Sequence, residues 1–296
     1  GAAMTDFLQD LMKQRRKLLD ALDENQGDIN LDIFEDFYPD QAHFVFELLQ
    51  NAEDTGATEV SFRVTKDGCW FEHNGKRTFS EADVRAITGI HNSTKKKDPD
   101  QIGKFGVGFK SVFVYTLTPT IYSASFSFKI TKFVLPEPVA PDPSIGSKTR
   151  FWLPFNNPAI DPARAFSEIQ SGVSKLAEAT LLFLKNIESI KWQTDEGVTG
   201  EILREHHSDF HIEVLKHANG SPTTSAHFLK FDRPVEGLEK QRLAIAFALD
   251  FQSNVSGFSL GKPLSQQMRI VSATPGQVAV FFPAEKETSG LRFHLH

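Results

Sequence analysis

Apolar residues recur at helical spacing near the start of the chain. Phe7, Leu8, Leu11, Leu18, Leu19 and Leu22 in TDFLQDLMKQRRKLLDALDE predict an amphipathic helix. A second helix is predicted after Pro39, with Asp40 as N-cap and Gly56 just past its end. Its apolar positions Phe44, Val45, Leu48, Leu49 and Ala52 form one stripe, which leaves Glu47, Asn51 and Asp54 together on another face. TEVSFRVT and CWFEHN alternate around Lys66-Asp67-Gly68 and read as a hairpin. SEADVRAIT reads as a short capped helix, and HNSTKKKDPDQ as a polar loop leading into the glycine-rich IGKFGVGFKSVF.

Beyond that loop, Phe109 to Tyr115 reads as a helix, TIYSASFSFKITKFVLP as one or two strands, and TRFWLPF as another. A long helix is predicted from about Pro162 to Asn186, followed by the strand IESIKW. From about residue 195 the texture changes to successive strand candidates: TGEILRE, FHIEVLKH, AHFLKFD, LAIAFALDF, QVAVFFP and LRFHLH. The expected fold class is α+β, with a mostly antiparallel sheet covered by helices and a second strand-rich α+β region after it. The expected organisation is a tag remnant over 1–4, a first domain over 5–195, and a strand-rich second domain over 196–296 that stops short at its C-terminal end.

The composition narrows the function classes only a little. With 40% hydrophobic and 24% charged residues, the 296-residue chain is of ordinary globular make-up. Its net charge of −6 argues against a sequence-independent nucleic-acid binder. One cysteine, Cys69, excludes an internal disulfide and suits a reducing, cytoplasmic location. No run approaches the ~20 apolar residues of a membrane span, so no membrane partner is expected.

Candidate chemistry concentrates in two places. Gly103, Gly106 and Gly108 would let backbone N–H groups approach an anion at a helix start, which suits phosphate. The segment follows no Rossmann pattern and lacks the Gly-Lys-Ser/Thr ending of a P-loop. The Glu47/Asn51/Asp54 row is either a solvated helix face or a site in which an amide oxygen holds Mg²⁺ and a carboxylate prepares a water. His206, His207 and His211 show no zincin spacing and read as surface or strand histidines, and Cys69 reads as packing.

In order, the chain presents ELLQNAED, a strand ending in HNG, a loop with STK, IGKFGVGFKSVF, and a strand bearing Thr149 after Gly146. Over roughly residues 30 to 195 this series resembles the GHKL ATPase superfamily (Bergerat fold) of gyrase, histidine kinases, MutL and the ninety-kilodalton heat-shock chaperones. Within that superfamily it is most similar to sacsin-like ATP-binding proteins. The resemblance implies Glu47 as the general base, Asn51 as the Mg²⁺ ligand, and Asp54 as the acid that closes the motif. It further implies that Gly103, Lys104, Phe105, Gly106, Val107, Gly108 and Phe109 line the phosphates, that Lys95 reaches them from a lid over about 88–102, and that Thr149 lies beneath the base. The family's adenine-reading aspartate is matched by His73, in the stretch His73-Asn74-Gly75-Lys76-Arg77, which leaves ATP as the first choice and GTP open. ATP and Mg²⁺ are the implied cofactors, with slow hydrolysis, lid closure as a switch and ATP-dependent dimerisation. A client protein or a nucleic acid would be engaged through regions outside this chain. A scaffold module without significant ATPase activity is the alternative.

Overall fold

A computed structural model describes residues 2–26, 43–89, 107–176, 178–182, 184–235, 238–271, 278–283 and 291–295. Helices α1 (Ala2–Gln26) and α2 (Phe44–Asp54) precede the hairpin of β1 (Glu59–Val64) and β2 (Gly68–His73). Helix α3 (Glu81–Ile87), a 3₁₀ helix (Val107–Val114), and strands β3 (Thr120–Ser123), β4 (Phe126–Thr131), β5 (Leu135–Pro138) and β6 (Thr149–Pro154) follow. Then come α4 (Pro162–Ser174), α5 (Glu178–Leu182), β7 (Ser189–Thr194), β8 (Thr199–His206), β9 (His211–Ala218), β10 (Thr224–Val235) and β11 (Leu238–Phe251). The chain continues through α6 (Leu264–Gln267), β12 (Met268–Ile270), β13 (Val278–Pro283) and β14 (Leu291–Leu295).

The strands form one sheet in the order β14-β13-β11-β10-β9-β8-β7-β1-β2-β6-β3-β4-β5, with β12 beside β11. Every pairing is antiparallel except that of β1 with β7. This is the α+β arrangement expected. The period-2 alternation of β1, β2 and β6 sends Phe62, Phe71 and Phe151 in one register row to the buried side. On the opposite side the adjoining row carries Ser61, Glu72, Arg150 and Tyr122. There Arg150 bonds both Glu72 and Asp142 at 2.7 Å, and Trp70 stacks on Trp152. Helix α4 lies over β1, β2 and β7, placing Ala165, Phe166, Ile169 and Val173 in the core. Helix α1 packs along β5 and buries Leu8, Leu11 and Met12.

Three elements differ from expectation. The long helix over 162–186 is two pieces. Helix α4 ends at Ser174, and Lys216 on β9 donates to the carbonyls of Ser174 and Leu176, which satisfies orphan groups at that end. The segment 107–114 is a 3₁₀ helix rather than an α-helix, and its three-residue repeat lines up Phe109, Val112 and Tyr115 on the core. The region read as one or two strands holds three, because turns with Ala124, Lys132 and Phe133 at positive φ split it. The strand candidates after residue 195 all form strands. The expected boundary at 195/196 falls in the β7–β8 turn, within a sheet that runs on through it.

Candidate functional site

The C-terminal end of α2 is fixed by its own backbone. Ala57 N–H donates to Ala52 O and Gly56 N–H to Glu53 O, with Gly56 at φ +79°, a Schellman ending in the left-handed region that glycine adopts at least cost. The predicted N-terminal signals Pro39 and Asp40 lie outside the described residues. The face bearing Glu47 and Asn51 is not solvated: each residue is only 8% exposed. Among the described residues, Glu47 Oε1 and Asn51 Nδ2 are both buried without a hydrogen-bond partner. His43, one turn back, approaches Glu47 at 3.6 Å.

Gly108 is pressed against Glu47. A Cβ on Gly108 would occupy the place of the Glu47 carboxyl group, so the 3₁₀ backbone can approach that carboxylate only through glycine. A buried polar atom left unpaired costs about 1–3 kcal/mol. Two of them one helical turn apart, the first beside a backbone that reaches it only through glycine, are the chemistry of a site that expects polar guests. The pair suits a phosphate guest: Asn51 Nδ2 can donate to a phosphate oxygen, its Oδ1 is the atom that would hold Mg²⁺, and Glu47 offers a carboxylate able to accept a proton from water.

At the far end of the same face, Asn51 shares a narrow pocket with Thr55, His73, Arg77, Asp83 and Thr149. The β2–β6 register sets His73 opposite Thr149, and β3 sets Ser123 opposite Thr149. Thr149 is buried and exchanges a hydrogen bond of 2.6 Å with Ser123, whose Oγ accepts from Phe79 N–H. Gly75 lies under Thr55, where any Cβ would collide with the threonine side chain and the His73 ring.

His73 is defined by one contact. Its Nδ1 accepts from Gly75 N–H at 3.0 Å, so Nδ1 carries no proton and the neutral ring bears its proton on Nε2. Burial holds its pKa down to about 4, against a weaker opposite pull from Glu72, so the ring is neutral at pH 7. The ring atom left for a ligand is therefore a donor. It cannot accept from an amino group as the family's aspartate does. Asn74 is committed elsewhere: its Oδ1 accepts from Thr58 and Glu59 N–H, and its Nδ2 donates to Thr58 Oγ1. Asp54 bonds Gln50 within α2 and does not line the pocket.

Lys95, Gly103, Lys104, Phe105 and Gly106 lie outside the described residues, and Val107 is described only as the start of the 3₁₀ helix. Phe109 is buried against Phe151 and serves the core. Cys69 is fully buried with its thiol pushed up to about 12, which leaves it in packing as expected.

Three supporting residues escaped the sequence reading. Glu53 accepts from the N–H groups of Lys185, Asn186 and Ile187 and so ties α2 to the entry of β7. Asp83 closes a capping box with Ser80 and receives Arg77 at 3.3 Å. Lys110 buries its ammonium against the carbonyls of Ile87 (2.9 Å) and Phe133 (3.1 Å), and burial draws its pKa down to about 7. It thereby locks the 3₁₀ helix to the end of α3. The Ser80-x-x-Asp83 spacing was visible in the sequence, but the partners of Glu53 and Lys110 are remote along the chain.

The strand order and the helices make an α+β domain built on a mostly antiparallel sheet. Residues 66–138 match the family described as Sacsin domain. It is 28% identical to Protein NO VEIN of Arabidopsis thaliana over 246 residues, 73% of this chain and 9% of NO VEIN. It is 36% identical to human Sacsin over 102 residues, 29% of this chain and 2% of Sacsin. The chain thus spans a small fraction of the curated relatives it matches. Solved structures overlap loosely. The B-subunit of the DNA gyrase from Myxococcus xanthus gives a TM-score of 0.39 at 12% identity, over 72% of this chain and 62% of that one. The N-terminal domain of a DNA repair protein gives 0.40 at 10% identity, over 75% and 70%.

Proposed function

We propose that this chain is an ATP-binding module that hydrolyses ATP slowly and uses closure over the nucleotide as a conformational switch within a larger protein. The observation that carries the reading is the contact of Gly108 with a buried, incompletely paired Glu47 carboxylate, with Asn51 one turn along. In this reading the 3₁₀ backbone beginning at Val107 faces the phosphates, and Glu47 takes the proton of the attacking water. Asn51 would hold Mg²⁺, which when bound screens the phosphate charge. The base enters between His73 and Thr149. Dimerisation on ATP belongs to this proposal, as does recruitment of a client or nucleic acid through regions outside this chain.

A nucleotide-free or weakly nucleotide-dependent scaffold is the second reading, and His73 favours it, since its free ring nitrogen donates where the family's aspartate accepts. Thermal shift with ATP, GTP and a non-hydrolysable analogue, with and without Mg²⁺, separates the two. A shift that needs both triphosphate and Mg²⁺ is expected, and none at all would favour the scaffold. Glu47→Ala should keep nucleotide binding and lose turnover by about 10²-fold or more. Wild-type turnover in that variant would remove Glu47 from the chemistry.

A further inference from the structure

Outside the α2 pocket, one other group of side chains among the described residues has the composition of a metal site. The strands β8, β9 and β10 lie side by side, and their register converges three residues distant in sequence. His207, just past the end of β8, points its Nε2 to Glu213 Oε1 at 2.8 Å. His227 of β10, 4% exposed, sets its Nε2 3.4 Å from Glu213 Oε2. One ligating atom from each of the three lies within 4.8 Å of the other two. Phe258 covers the group, its ring centroid 4.5 Å from that of His207 and 5.6 Å from that of His227.

From this geometry we infer that His207, Glu213 and His227 form a binding site for a divalent transition metal, with Zn²⁺ the favoured ion. Two imidazoles and one carboxylate are a common three-ligand set for zinc, leaving a fourth position for water or another ligand. Around a tetrahedral zinc with bonds near 2.0–2.1 Å, ligand atoms stand roughly 3.3 Å apart. His207 Nε2 lies 2.8 Å from Glu213 Oε1 and His227 Nε2 3.4 Å from Oε2, so each histidine already stands near that spacing from one carboxylate oxygen. With all three ligand atoms within 4.8 Å of one another, small side-chain rotations bring the two imidazoles and one oxygen onto a common ion.

The surroundings are those a metal-binding histidine requires. His227 can ligate through Nε2 only if its proton is on Nδ1, and Nδ1 lies 2.9 Å from Nε2 of the buried His211. His211 is thereby placed to accept that proton's hydrogen bond and to fix both the tautomer and the angle of the ring. Ser225 donates to Glu213 Oε2 at 2.5 Å and holds the carboxylate in place. The bland alternative is a hydrogen-bonded polar cluster that only ties three strands together. It would need no tautomer-fixing partner behind His227, and it would gain nothing from added metal.

The test uses the whole chain, stripped with a chelator and titrated calorimetrically with Zn²⁺, with the bound metal counted after gel filtration. One zinc per chain is expected, weakened at least tenfold in Glu213→Gln and in His227→Asn. His211→Phe should lower affinity about 10- to 100-fold while keeping the stoichiometry. His217→Asn, whose ring bonds Thr223 outside the group, should bind as the wild type does. Because a ligand variant could fail to fold, Co²⁺ added to the wild-type chain supplies a second readout, the visible absorption of a tetrahedral site, displaced by Zn²⁺. A wild-type chain that emerges metal-free and shows no such band overturns the inference. So does zinc retained equally by Glu213→Gln and His227→Asn. Neither measurement involves nucleotide, so its outcome is independent of the α2 pocket.

Discussion

Glu47 and Glu213 are both sheltered carboxylates beside a histidine, and the two halves of the sheet treat them in opposite ways. Glu213 meets His207 at 2.8 Å and Ser225 at 2.5 Å, with His227 close by, so both its oxygens are engaged. Glu47 has His43 at 3.6 Å, and among the described residues its buried Oε1 makes no hydrogen bond, nor does the buried amide nitrogen of Asn51. Glu213 and its neighbours complete one another, whereas Glu47 and Asn51 do not among the described residues. Glu53 sharpens the contrast, since it sits six residues from Glu47 on the same helix and has both oxygens filled by backbone N–H groups. One helix therefore carries a carboxylate that holds the fold and another that does not.

The largest effect should follow from breaking the structural member of that pair. Glu53→Ala strands three N–H donors at residues 185–187, and hydrogen bonds to a charged acceptor are worth about 1.5–3 kcal/mol each. A loss of about 4 kcal/mol is expected. At about 2–4 °C per kcal/mol for a chain of this size, thermal unfolding would show a fall in Tm of about 8–16 °C. A shift under 3 °C would mean that the anchor is dispensable.

How much of this was legible in the sequence depends on how far apart the partners lie. The α2 stripe, the hairpin, the short capped helix after Ser80 and the strands after 195 follow from local periodicity and capping, and they form as read. The break in the long helix was not legible, because it is made by Lys216 on β9 and by the N–H groups that Glu53 collects. The burial of Glu47 and Asn51 was equally hidden. Spacing alone puts them on a polar face; the return of Gly108 covers Glu47, and Thr55, His73 and Thr149 close around Asn51. His207, Glu213 and His227 match no spacing rule, because strand register rather than helical repeat brings them together.

The functional member of the pair can be displaced with little disturbance to the fold. In Gly108→Ala the new methyl meets the far end of the Glu47 side chain rather than backbone. The carboxylate can therefore swing aside at little structural cost, leaving the site with its base misplaced. Stability is expected to change by less than about 1 kcal/mol, while turnover falls about 10²-fold, the scale of a lost general base. Coupled unfolding and single-turnover assays check this. Equal losses in both would make Gly108 a packing residue and blur the contrast with Glu53.

The smallest effect concerns the base. His73 spends its acceptor on Gly75 N–H and offers only a donor, whereas a carboxylate in its place could accept the adenine amino group. A donor finds an acceptor on either purine, so the wild-type chain should discriminate poorly between ATP and GTP. His73→Asp should raise the ATP-over-GTP affinity ratio about tenfold, equivalent to about 1.4 kcal/mol. Paired titrations of the two nucleotides measure it, and the ratio matters more than either affinity because it cancels any general loosening of the pocket. Burial of a carboxylate beside Thr149 will cost some stability, which the same ratio also removes. An unchanged ratio would show that the base is read by another group in the pocket, and Asp83, already placed there by its capping box, is the first to replace.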